Sequence, residues 1–273
     1  MRWNRFALAL AALGALAGSA HAAPRAVVVA KPRAVVVAKP RAVVVAKPRA
    51  VVELFTSPFC SSCPPADELF VKLAQQPGLI TLVMPVDSWD RPGRKDALAN
   101  PAFTERQAGY ADVRNEDTLY TPQAMINGRA EAEGSDRSQI DDGIAATDGI
   151  LSVSVKAATV GKNIVISIGA AKPGVPPGAV VTVLPFVASR EIPMRGGESL
   201  KYANLVRDIV PIGRWEGKAM KQSMPLQDYA QYDGVVVLLQ AGTPERPGAI
   251  LGATRLPLRG SFSDLHRTGF GVQ

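Results

Sequence analysis

Apolar and polar positions follow two regimes along the chain. Between residues 49 and about 148, short apolar runs alternate with stretches of helical period. Residues 51–56 are mostly β-branched or apolar and read as a strand. Residues 64–75 place Leu69, Phe70 and Leu73 at helical spacing, with Pro64 in the first turn and Pro77-Gly78 as the stop. A second strand is predicted at 79–84, a second helix at 102–113 and a short strand at 124–126. Asn127-Gly128 then signals a hairpin into a further strand. Residues 135–146 carry an N-cap candidate and Ile140 and Ile144 four apart, and read as a closing helix. The predicted order is β-α-β-α-β-β-α. After Gly149 the period shortens. Residues 151–155 alternate, and 164–168, 180–187 and 235–239 are further strand candidates, separated by turns such as Lys172-Pro173-Gly174 and Pro176-Pro177-Gly178. The expected class is an α/β domain at 49–148 followed by a β-rich, sandwich-like domain at 149–273, jointed at Asp148-Gly149.

The first 48 residues fit neither regime. Arg2 and Arg5 precede an apolar run of twelve residues, 6–17, and Ala20-His21-Ala22 has the small-x-small form of a cleavage site. Residues 1–22 are therefore expected to be a signal peptide cleaved near Ala22. The mature chain would be periplasmic or secreted, where disulfides form. The alternative is an uncleaved anchor helix. Residues 23–48 repeat Pro-Arg-Ala-Val-Val-Val-Ala-Lys with a period of eight. A further copy at Pro48 turns into Glu53-Leu54-Phe55. The repeats read as a disordered tail, duplicated from the lead-in to the first strand.

Charge changes meaning once the tail is set aside. The formal net charge is +7, but nine of the 31 Lys and Arg lie in the first 50 residues, which hold no acid. The other 22 face 24 Asp and Glu. The basic character belongs to the tail, so a nucleic-acid partner is not expected. The tail reads either as a weak tether to anionic envelope surfaces or as a solvated arm. With 24 Gly and 22 Pro, turns and β-structure are favoured over a helical bundle. Cleavage would leave His266 as the last of two histidines, which argues against a Ser-His-Asp triad or a multi-histidine metal site.

The candidate chemistry is Cys60-Ser61-Ser62-Cys63, between the first strand and the first helix. Two cysteines cannot build a four-thiolate zinc site. A helix N-terminus favours a thiolate, so Cys60 is the expected nucleophile and Cys63 the resolving thiol. The competing reading is a fixed local disulfide. Tyr120-Thr121-Pro122-Gln123 precedes the third strand; in a thioredoxin-like fold a cis-proline there lies against the CxxC and offers backbone to an incoming peptide. A trans proline opening an edge strand is the alternative. Glu53, in the first strand and seven residues before Cys60, either accepts a proton from Cys63 or is an exposed strand-end glutamate. Trp89, in the polar segment 87–100, either covers the disulfide and binds peptide or is half-buried in a long loop. Phe59 makes the approach to Cys60 apolar, and Thr121 joins Phe59 and Trp89 as an expected substrate contact.

These residues carry a resemblance. Val52-Glu53-Leu54-Phe55-Thr56-Ser57 and Cys60-Ser61-Ser62-Cys63-Pro64-Pro65-Ala66-Asp67 are similar to the signature of a secreted, thioredoxin-like family known as domain of unknown function 1223. Val86-Asp87, Trp89-Asp90 and Lys95-Asp96 resemble its second motif. Tyr120 to Gln123, Asn127-Gly128 and Gly134-Ser135-Asp136-Arg137 resemble its third. Gly197-Glu198, Leu205-Val206-Arg207 and Gly213-Arg214-Trp215-Glu216-Gly217 resemble its C-terminal half. The resemblance implies a thioredoxin-like domain with a C-terminal β domain and supplies no substrate. The chain departs from the family's usual Gln-Gly at Pro58-Phe59, His at Pro85, aromatic at Ser88 and Trp at Arg94. The expected activity is thiol–disulfide exchange on protein or small-molecule thiols, with a membrane electron donor or acceptor and with no cofactor or metal. The alternatives are a Cu(I)-binding module using the same two thiolates, or a β-domain binding protein with a structural disulfide.

Overall fold

The structure, a computed structural model, describes residues 47–193 and 199–259. The expected signal peptide, nearly all of the repeat tail and His266 lie outside the described residues. Strand β1 (Ala50–Thr56) is buried at every position. A strand buried on both faces needs partners on both edges and cover above and below. It pairs in parallel with β2 (Leu79–Pro85) and antiparallel with β3 (Gln123–Ile126), which turns into β4 (Ala130–Glu133). Strand parity sorts its side chains. Ala50, Val52 and Leu54 pack with Phe70 and Leu73 of helix α1 (Pro64–Leu73) and with Ile140 and Ile144 of α3 (Arg137–Ala146). Val51 and Phe55 pack on the other face with Phe103 and Tyr110 of α2 (Pro101–Arg114). The N-cap of α3 is Asp136, whose carboxylate accepts from the backbone N–H groups of Ser138 and Gln139.

The expected class, a thioredoxin-like α/β domain followed by a β sandwich, is corrected. The protein is mostly β, built on one mixed sheet that takes strands from both sides of Gly149. Three elements make the join. Strand β7 (Ala179–Pro193) is fifteen residues long. Its first half pairs with β11 (Gly234–Gly242) and β9 (Val210–Trp215), and its second half with β8 (Ser199–Val206). Strand β8 then docks beside β2 in parallel, with Leu205 opposite Val83. The resulting order is β12-β11-β7-β8-β2-β1-β3-β4, with β12 (Pro247–Pro257) at the far edge. Strands β5 (Val155–Val160), β6 (Asn163–Ile168) and β10 (Met220–Pro225) form a separate three-stranded sheet. Ile164 and Ile166 share a core there with Val181, Val237 and Trp215.

The physical reason for the correction lies in what alternation encodes. Period two says which face a side chain takes, and it does not say which strand lies alongside. Strand β2, Leu-Ile-Thr-Leu-Val-Met-Pro, is buried throughout, and that continuous burial fits a strand with neighbours on both edges. Strand β8 supplies the second neighbour. The full length of β7 was hidden because the run turns polar at Ser189-Arg190-Glu191. Alternation from 151 also misplaced β5. Leu151 and Val153 are buried ahead of it, with the Val153 N–H donating to Leu251 O at 2.8 Å.

Candidate functional site

Strand β1 ends at Thr56 and the chain turns through residues 57–62 into α1. Cys60 and Cys63 are joined by a disulfide in this turn, with Cα atoms 5.4 Å apart. Cys63 is the N-cap of α1. Pro64 and Pro65 have no N–H, and the N–H groups of Ala66 and Asp67 donate to Cys63 O at 2.9 and 3.1 Å. The helix thus turns no free first-turn N–H on the sulfurs, and what it offers is its dipole. The Ser62 hydroxyl lies 3.4 Å from Cys60 Sγ. Cys63 is fully buried and Cys60 is 2% exposed, flanked by exposed Ser61 and Ser62.

The segment before β3 closes over Cys60. Thr121 O lies 3.6 Å from Cys60 Sγ and accepts from Ser62 Oγ at 3.3 Å. The Thr121–Pro122 peptide bond is cis. Trp89 sits on a 3-10 turn, Asp87–Trp89, and its indole N–H donates to Thr121 Oγ1 at 2.9 Å. That contact explains the half-burial of Trp89 and makes it a brace for Thr121. Gln107, buried on α2, donates to Tyr120 O at 2.8 Å and to Gln123 Oε1 at 3.0 Å, fixing the same segment from below. Trp89, Leu119, Tyr120 and Thr121 border a recess of about 230 Å³.

Phe59 faces the other way. With Arg94, Asp96, Leu98, Arg190 and Ile192 it lines a larger cleft of about 630 Å³. The Arg94 guanidinium stacks 4.6 Å from the Phe59 ring centroid. The chain neighbour of Cys60, Phe59, thus lines one depression, and its contact Thr121 lines the other. Among the described residues, no three His, Cys, Asp or Glu side chains are grouped to hold a metal ion.

Glu53 is not part of this cluster. It is fully buried on the α2 face of the sheet, where it has a charged partner. Arg106 donates to its two oxygens at 2.8 and 3.2 Å, and the Tyr110 hydroxyl donates at 2.6 Å. Gln240 of β11 closes the network, accepting from Arg106 at 2.8 Å and donating to Tyr110 Oη at 2.7 Å. The carboxyl on the disulfide's own face is Asp67, four residues after Cys63 on α1. It is 1% exposed, and Thr56 Oγ1 donates to its Oδ1 at 2.9 Å. Burial, opposed by that hydrogen bond, pushes its pKa up to about 8. Sequence reasoning passed over Asp67 as a site residue, although an acid one turn after the second cysteine, with apolar Ala66 before it and Phe70 three residues on, was visible there.

The family model described as protein of unknown function (DUF1223) matches residues 51–240. The crystal structure of an Agrobacterium tumefaciens protein, a structural genomics target, is 35% identical. It superposes with a TM-score of 0.72 over 79% of this chain and 97% of that one. HBP35 of Porphyromonas gingivalis is 13% identical, with a TM-score of 0.53 over 78% of this chain and 76% of that one, a likeness of fold alone. No curated protein matches the chain.

Proposed function

The chain belongs to the DUF1223 family, and we propose that it is an exported thiol–disulfide oxidoreductase working through Cys60 and Cys63. One observation carries this reading: Cys60 Sγ lies in a turn against the carbonyl of Thr121, which precedes a cis-proline, and its neighbours Phe59 and Thr121 each line a cleft. A disulfide serving only as a staple gains little here, since it closes a loop of a few residues. In the reduced protein Cys60 attacks one sulfur of a substrate disulfide, and the other sulfur leaves with the electron pair. Cys63 then attacks Cys60 Sγ, the internal disulfide reforms and the reduced substrate departs. Run backwards, the same steps oxidise a dithiol. Pro122 and Thr121 present backbone beside the reacting sulfur, and Phe59 and Trp89 flank it. Substrates are protein or small-molecule thiols. The paired cysteines hold the electrons, so the exchange needs no further cofactor. The proposal of export rests on Arg2, Arg5, the apolar run and the Ala20-His21-Ala22 site, and its destination would be the periplasm or the outside of the cell. A membrane donor or acceptor would then reset the pair.

The test is the reduction potential of the mature protein in glutathione buffers, with thiols trapped by alkylation and read by mass. A value between about −120 and about −270 mV is expected; a pair that stays oxidised below about −300 mV overturns the reading. Cys60→Ser is expected to abolish reduction of insulin disulfides, and Cys63→Ser to accumulate mixed disulfides. Retained turnover in the Cys60 variant is equally fatal.

A further inference from the structure

We propose that Asp67 is the proton store of the cysteine pair: it holds a proton while the disulfide is closed and passes it to Cys63 Sγ when the disulfide opens. The inference rests on the oxidoreductase reading above. It starts from position. Asp67 follows Cys63 by one helical turn, with its N–H on Cys63 O at 3.1 Å. Side chains on a helix lean toward its N-terminus, so a residue at i+4 lies over residue i. The bond from Thr56, the last residue of β1, fixes that direction, because Thr56 is where the cysteine turn leaves the sheet. The Asp67 carboxyl therefore forms part of the floor beneath the disulfide.

The second observation is what this carboxyl lacks. Its Oδ2 is buried without a hydrogen-bond partner. An acid in the first turn of a helix stabilises it through the dipole when ionised and exposed. Burying it with one oxygen unsatisfied forfeits that gain and costs desolvation. Such a group is poorly placed as a stabiliser and well placed as a proton carrier. It stands in contrast to Glu53, whose oxygens are taken by Arg106 and Tyr110 on the opposite face.

The third observation concerns the neighbouring polar groups. Tyr202 of β8 is buried against the same face, and its hydroxyl also lacks a well-formed partner. Burial raises its pKa, and the charges of Asp67 and Asp96 raise it further, while Thr56 lowers it. Asp96 lines the Phe59 cleft, and its Oδ2 is likewise buried without a hydrogen-bond partner. Its pKa is raised by burial first, held back by the Leu98 N–H, raised by Asp90 and lowered by Arg207. Tyr202 thus feels the charges both of Asp67, below the disulfide, and of Asp96, which lines the larger cleft.

The step balances. A reductant thiolate, taken here as one end of a dithiol, attacks Cys60 Sγ and forms a mixed disulfide, from which the second reductant thiol later releases Cys60 as the reductant closes into its own disulfide. The Sγ–Sγ bond breaks, its electron pair goes to Cys63 Sγ, and the Asp67 proton neutralises that thiolate. Asp67 is left as a carboxylate for as long as the pair stays reduced. In the reverse direction it takes the Cys63 proton as Cys63 attacks Cys60.

The test compares wild type with Asp67→Asn in the rate of disulfide opening by dithiothreitol, from about pH 6 to about pH 10. The ratio of the two rates cancels the ionisation of the reductant. It is expected to be constant at low pH and to fall about tenfold per pH unit above about pH 8, until it reaches one. A ratio that does not change with pH overturns the proposal. The reduced-minus-oxidised infrared spectrum of the wild type provides a check that needs no variant. Loss of a protonated-carboxyl band on reduction near pH 7 is expected, and its absence overturns the proposal. A disulfide that no thiol opens is a different result, because it removes the oxidoreductase reading itself.

Discussion

At the scale of single residues, the two prolines after Cys63 decide what can stabilise a Cys60 thiolate. Because Pro64 and Pro65 carry no N–H and the next two N–H groups are spent on Cys63 O, helix donors are unavailable to the sulfur. The hydroxyl of Ser62, at 3.4 Å, is free to turn from Thr121 O to a negative sulfur. Ser62→Ala is expected to raise the Cys60 thiol pKa by about one unit. The pH dependence of iodoacetamide alkylation of the reduced protein measures this, and an unmoved profile would show that the hydroxyl does not reach the thiolate. Legibility at this scale was uneven for a physical reason. Cys60, Cys63 and Pro122 announce themselves by type and spacing. A buried strand glutamate demands a charged partner, and the partner, Arg106, lies 53 residues away on another element. The demand was legible and the answer to it was not.

At the scale of elements, the site depends on how closely β4 passes the segment before β3. Gly134 donates its N–H to Pro122 O at 2.9 Å. A Cβ at Gly134 would lie 2.7 Å from Leu54 Cδ1, 2.9 Å from Pro122 Cβ and 3.1 Å from the Pro122 carbonyl carbon. Glycine is needed there for close approach. Gly134→Ala is expected to push residues 121–122 off their seat and carry Thr121 O away from Cys60. Insulin-disulfide reduction should drop by about ten- to a hundredfold, since displacements near 1 Å at a reacting centre cost that much. The disulfide itself should still form, because neither cysteine is touched. Turnover equal to wild type would mean that the segment plays no part in presenting substrate. The Asn127-Gly128 signal foretold this hairpin. What it did not reveal was that Trp89 and Gln107, from two other elements, hold the same few residues. Such convergence is created by packing, which local period does not contain.

At the scale of the whole molecule, the question is why strands on either side of Gly149 behave as one sheet. Strand β8 joins β2, but through a short register. A second tie runs through the core, from Glu53 on β1 to Arg106 and Tyr110 on α2 and on to Gln240 on β11. The ion pair is buried on both sides, at 4% and 0% exposure. Pairs of this kind add little over apolar packing, yet breaking one leaves a buried charge uncompensated. Glu53→Gln is therefore expected to destabilise the protein by about 3–5 kcal/mol. Because the network spans the first and the last parts of the sheet, the loss should appear as a single shifted transition. Far-UV circular dichroism and tryptophan fluorescence should follow the same curve. The reduction potential of the Cys60–Cys63 pair, measured well below that transition, should stay where it is in the wild type, because Glu53 faces α2 and the disulfide sits with α1. A Glu53→Gln variant that folds at full stability but shifts the potential or its pH dependence would return Glu53 to the chemistry. Two separate transitions would mean that the sheet is continuous in geometry and divided in energy.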